Sequence, residues 1–97
     1  MSDFSAFLRE DQRLVILRIL ADLPAYRANS SVLTMGLANF GHGVSRDQTK
    51  TELHWLAEQG LVALEPVESV LVATLTERGA DVAAGRARAP GVKRPGA

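Results

Sequence analysis

Cysteine is absent from the 97 residues. That absence excludes disulfides, cysteine-ligated zinc and a cysteine nucleophile, and it is compatible with a reducing compartment. Histidine is scarce: His42 and His54 are the whole supply of imidazole, so no metal is expected. No apolar run approaches the ~20 residues needed to span a bilayer. The opening Met1-Ser2-Asp3-Phe4 carries no basic region of the secretory kind. A cytoplasmic protein with no membrane segment is therefore expected. Also missing are a nucleophile elbow, a phosphate loop and a metal-ligand cluster. A chain this short has little room for a pocket. It is not expected to be an enzyme or to hold a cofactor.

Excess charge is lacking too. Eleven basic residues balance eleven acidic ones, which suits phosphate binding poorly. The distribution is more informative than the sum. Residues 86–97 hold Arg86, Arg88, Lys93 and Arg94 and no acid, whereas residues 1–85 hold seven basic against eleven acidic residues. The body is acidic and the end is basic. Apolar residues make up 46% of the chain, enough to build one core.

Periodicity predicts a first helix over residues 4–23 that is apolar around most of its circumference and ends at Pro24. Such a helix is central or serves as an interface. Asp11 is a candidate cap for a fresh helix after a short N-terminal turn. Tyr26-Arg27-Ala28 reads as a short extended link, with Tyr26 packing there. Asn29 is expected to cap a second helix over 30–40, with Leu33, Leu37 and Phe40 on its core face. Gly41-His42-Gly43 breaks it, and His42 reads as a turn residue. Ser45 with Gln48 three residues later is a capping box, opening a third helix that Gly60 stops. Residues 61–65 and 70–75 are β-prone, with 66–69 as the hairpin loop. Thr76 caps a last short helix ending at Gly85. The segment 86–97 offers little to bury and reads as a flexible basic tail after a domain spanning 1–85.

The stretch from Val44 to Leu64 resembles the recognition helix and first wing strand of bacterial winged-helix regulators. The shared features are the small cap Ser45, the pair Leu53 and Leu56, and Gly60-Leu61-Val62. Leu75-Thr76-Glu77-Arg78-Gly79 resembles the Leu-Thr-x-x-Gly that follows the wing in the multiple-antibiotic-resistance and arsenic-repressor families. The whole chain is also similar to small winged-helix proteins encoded in Mu-like prophages, through Asp11-Gln12-Arg13-Leu14, Trp55 to Val62, and Pro90 to Pro95. The resemblance implies a mainly α winged helix-turn-helix with a small β-hairpin, encoded by a phage.

On that fold the third helix would enter the major groove of double-stranded DNA. Its outward positions are expected to be Arg46, Asp47, Lys50, Thr51 and His54. Arg46, Lys50, Thr51 and His54 are the candidate contacts, with Gln48 beside them and serving more as a cap. Arg86, Arg88, Lys93 and Arg94 are candidate backbone contacts in the manner of a basic arm. Trp55 is expected to be half-buried beside the wing. The implied role is a phage or prophage transcriptional regulator, dimeric through its first and last helices. A different class stays open, since a winged helix also serves as a protein adaptor. The acidic wing residues Glu65 and Glu68, the net −1 of residues 44–60 and the apolar first helix suit an adaptor in phage assembly or DNA packaging.

Overall fold

No glycine or proline interrupts residues 3 to 22, and the chain forms one unbroken helix there, α1 (Asp3–Asp22), in the computed structural model, which describes residues 3–96. There is no fresh start at Asp11. Its carboxylate turns instead to the loop after the second helix. Pro24–Tyr26 form one 3-10 turn in which Ala25 and Tyr26 both adopt left-handed φ values, 57° and 55°. That turn leads into β1 (Arg27–Asn29), and it leaves Tyr26 exposed rather than packed.

Side-chain caps start the next helices as expected. Asn29 Oδ1 accepts from the Val32 amide at 2.9 Å to open α2 (Ser30–Asn39). Ser45 Oγ accepts from the Gln48 amide at 3.0 Å to open α3 (Arg46–Glu58). Thr76 Oγ1 accepts from the Gly79 amide at 3.0 Å to open α4 (Glu77–Ala83). Each cap satisfies a backbone donor that the helix itself leaves unpaired.

Two strands follow α3: β2 (Val62–Val67) and β3 (Val70–Leu75). The sheet is antiparallel in the order β1-β3-β2, with Ala28 and Leu64 flanking Ala73. The expected loop 66–69 shrinks to Glu68-Ser69, because Pro66 stays in β2 opposite Leu71. Proline is tolerated there because β2 is an edge strand and need not donate on its outer side. Ile16, Leu17 and Leu20 of α1 meet Leu33, Leu37, Leu53, Leu56, Leu61 and Val82 in a single core. The result is a mainly helical domain with a small three-stranded sheet. Its element order is the one the periodicity predicts: helix, strand, helix, helix, strand, strand, helix.

Residues 86–96 differ from the expected loose tail. Ala89 is buried and Val92 packs on the core. The Lys93 amide donates to the Glu10 carbonyl at 3.2 Å, and the Gly91 carbonyl accepts from Arg13 Nη1 at 3.0 Å. Small residues make this docking possible. A Cβ on Gly91 would lie 2.5 Å from Cζ2 of Trp55, so only glycine lets the backbone lie on that ring. The boundary expected at residue 85 is thus not a boundary in the packing.

Candidate nucleic-acid interface

One flank of α3 is a buried polar hub. Glu52 is only 1% exposed, although it is acidic and mid-helix. Arg13 Nε donates to its Oε1 at 2.6 Å, and Gln48 Nε2 donates to its Oε2 at 2.5 Å. The Arg13 guanidinium also stacks 3.9 Å from the centroid of the Trp55 ring. Charge, hydrogen bonds and the ring face all satisfy one cation. Gln48 is therefore not an outward reader. Its amide group is committed to Glu52, one helical turn on. Trp55 is half-buried as expected, but against Arg13 and the C-terminal segment.

The outer face of α3 carries Asp47, Thr51, His54 and Glu58, all exposed. The Thr51 hydroxyl donates back to the Asp47 carbonyl at 3.1 Å. Arg46 and Lys50 share one flank through their spacing of four. Arg46 is exposed, and Lys50 Nζ reaches the hairpin tip, donating to the Ser69 carbonyl at 2.8 Å. The hairpin adds Glu65, paired loosely with Arg27 at 3.4 Å, and the exposed Glu68. The arrangement brings Arg46, Lys50, Thr51 and His54 onto one solvent-exposed surface beside an acidic hairpin.

The four C-terminal cations are not brought together as an arm. Arg86 Nε donates to Asp81 at 2.9 Å. Lys93 Nζ lies 3.4 Å from Asp11 and 5.4 Å from the Phe7 ring centroid. Arg88 and Arg94 are exposed.

Two relatives share this sequence. The chain is 54% identical over 88 residues to the uncharacterized protein gp26 of Escherichia phage Mu, covering 91% of each. It belongs to the phage Mu gp26 family. A second relative, an uncharacterized protein of Haemophilus influenzae strain KW20, is 43% identical over 76 residues, covering 77% of this chain and 74% of the relative. No family model matches the chain. The similarity to Mu-type phage proteins expected from the sequence is thus real, and the chain is a phage-type protein.

Sequence reasoning missed two features of this gp26-family chain. Glu52, which enters the sequence reading only through the net −1 of residues 44–60, falls between Thr49 and Leu56 on the buried face of α3. That spacing was the available signal. His42, read as a turn residue, is buried, and its Nε2 sits 2.7 Å from Asp11 Oδ2. This contact, with Lys93, ties α1 to the α2–α3 loop and to the C-terminal segment.

The environment of Asp11 yields a test. Burial raises its pKa, but the hydrogen bond to His42 and the charge of Lys93 outweigh that, leaving it below the usual aspartate value. A carboxyl depressed by folding contributes stability that is fully present above the unfolded aspartate pKa, about 3.9. That stability is lost as pH falls through the folded value. Asp11→Asn should lower the urea midpoint at pH 6, and the gap to the parent should close below about pH 4. A gap that is constant from pH 6 to pH 3 would rule out this role for the carboxylate.

Proposed function

We propose that this phage protein is a winged-helix module that binds double-stranded DNA, with α3 as the element entering the major groove. The reading is of a binding module, not an enzyme. What carries it is the exposed surface of α3, which follows α2 across a six-residue turn and adjoins the β2–β3 hairpin. The strand order and the closing α4 accord with a winged helix, and the phage family accords with a regulator of phage transcription. Arg46 and Lys50 would grip phosphates while Thr51 and His54 face base edges. Lys50 must first leave the Ser69 carbonyl, an exposed contact that costs little to exchange for a phosphate. Two such domains related by a two-fold axis would set their third helices on successive major grooves, about 34 Å apart.

The decisive titration uses fluorescence anisotropy with random duplex DNA, at roughly 50 and 200 mM salt. The parent should bind at low salt and weaken steeply at the higher one. Arg46→Glu with Lys50→Glu should abolish binding while the melting temperature stays within about 4 °C, since surface changes of this kind shift stability by only about 0.5 kcal/mol. Unchanged affinity would remove α3 as the reader. The contribution of the C-terminal cations is best read from Arg88→Glu with Arg94→Glu. A chain ending at residue 85 would also lose the cover over Trp55.

A second reading has its own support. The two ends of the α3 face carry Asp47 and Glu58, and the hairpin carries Glu65 within β2 and Glu68 at its tip. A protein partner with a basic surface suits those acids, and an adaptor in phage assembly or DNA packaging would use them. Absence of duplex binding even at low salt would favour this reading.

A further inference from the structure

We propose that residues 85–95 cradle the phosphate group of a small hydroxylated phosphomonoester, a sugar phosphate in chemical class. The site lies where the C-terminal segment meets α1 and α4, so it stands or falls separately from the α3 reading. Gly85 and Pro95 bring the ends of this loop together: a Cβ on Gly85 would lie 3.7 Å from Pro95 Cγ. Compact surface loops whose ends meet frequently carry function. The shape of this one is fixed from inside. Ala89 is buried, Val92 packs on the core, and the Val92 amide donates back to the Ala89 carbonyl at 3.0 Å. Pro90 and Pro95 restrict the backbone further. Between the loop, Glu10 of α1 and Val82 of α4 lies an open cavity of about 380 Å³.

Donors crowd the wall of this cavity. Arg88, Lys93 and Arg94 line it, against the single acid Glu10. Lys93 Nζ also lies 3.4 Å from Asp11. Arg88 and Arg94 are exposed and pair with nothing among the described residues. The backbone adds more. The amides of Arg88, Ala89, Gly91 and Arg94 have no hydrogen-bond partner among the described residues, and all four residues line the cavity. Ala89 matters most, because it is only 7% exposed. Buried backbone donors are almost always satisfied, and the cavity gives a partner its approach.

A tetrahedral dianion suits this set. Two guanidinium forks and several N–H groups offer more donors than one planar carboxylate can take, whereas a phosphate group presents three terminal oxygens. Backbone N–H groups around a concavity attract anions in their own right. Glu10 narrows the choice. Its carboxylate repels a bare anion but accepts from a hydroxyl, so the ligand that fits carries a hydroxyl beside its phosphate. Val82 and Val92 add an apolar part to the wall that suits a compact carbon skeleton. The volume agrees, since pockets for small ligands begin at about 300 Å³.

Melting of the full chain with ribose 5-phosphate tests this, with ionic strength held constant by chloride. Ribose 5-phosphate at about 20 mM should raise the melting temperature by at least about 4 °C. Ribose should not. Arg88→Ala and Arg94→Ala should each weaken binding about tenfold through lost charge-assisted bonds. Without ligand both variants should melt within about 4 °C of the parent. Glu10→Ala should tighten inorganic phosphate and shrink the advantage of ribose 5-phosphate over it, a reversal that a merely structural role for Glu10 would not produce. No rise with either phosphate, or equal rises in the parent and both arginine variants, would overturn the proposal. So would loss of duplex DNA binding in the arginine variants with no phosphate response in the parent, which would assign these cations to a nucleic-acid backbone.

Discussion

Glu52→Ala is expected to destabilise the domain by about 3–5 kcal/mol, the usual cost of removing one partner from a buried ion pair. The carboxylate is almost wholly enclosed and takes hydrogen bonds from Arg13 and Gln48. Without it, the Arg13 guanidinium stays between α1, the Trp55 ring and the Gly91 carbonyl with no counter-charge. In a domain of this size each kcal/mol shifts the melting temperature by about 4–8 °C, so a fall of at least about 12 °C should be seen. Two controls isolate the cause. Glu52→Gln keeps the shape and one acceptor and should cost less. Arg13→Met with Glu52→Leu removes both charges, and replacing a buried pair with apolar residues is often neutral or stabilising. The double change should therefore recover most of the loss, giving a large coupling in the double-mutant cycle. A single-variant loss under about 1 kcal/mol would mean that water reaches the pair.

This hub also shows where sequence reading succeeds and where it stops. The starts of α2, α3 and α4 were legible because a cap joins residues three apart: Asn29 with Val32, Ser45 with Gln48, Thr76 with Gly79. The core was legible because leucines recur at helical spacing. Pairings across the fold were not. Arg13 and Glu52 are 39 positions apart, and Arg13 and Gly91 are 78 apart. No local pattern in residues 86–96 reveals that Trp55 provides a surface for Gly91 to lie on. Composition alone therefore gave a flexible basic arm, whereas two of its four cations, Arg86 and Lys93, pair with the acids Asp81 and Asp11. The candidate site was legible in the same uneven way. Arg46, Thr51 and His54 face solvent on α3 as their spacing predicts. Gln48 does not, because Glu52 one turn away holds its amide group. Lys50 is drawn to the hairpin tip, whose position depends on the two-residue turn that Pro66 was expected to lengthen.

Gly79→Ala is the backbone counterpart of that charge test. Gly79 sits in the first turn of α4, three residues after Thr76 and within Leu75-Thr76-Glu77-Arg78-Gly79. The Thr76 amide donates to the Leu61 carbonyl at 3.1 Å, and the Thr76 hydroxyl donates to the Gly60 carbonyl at 2.8 Å. These bonds draw the start of α4 onto the segment entering β2. A Cβ on Gly79 would collide with the Leu61 carbonyl oxygen and lie 2.7 Å from Leu75 Cδ1. The leucine tip can rotate. The carbonyl cannot move without disturbing its bond from Thr76 and the first residues of β2. Overpacking commonly costs 1–3 kcal/mol, and a clash with backbone belongs at the upper end, so a loss of about 3 kcal/mol is expected. Two other glycines calibrate the measurement. Gly36→Ala meets only the flexible end of Ile19 at 2.7 Å, and Gly43→Ala meets nothing within 4 Å. The first should cost less than Gly79→Ala, and the second should be neutral or stabilising by up to about 1 kcal/mol through the unfolded chain. If all three variants melt together, α4 is not locked to the β2 entry. If Gly79→Ala alone falls sharply, the glycine of this motif is explained by a backbone contact and needs no role in binding.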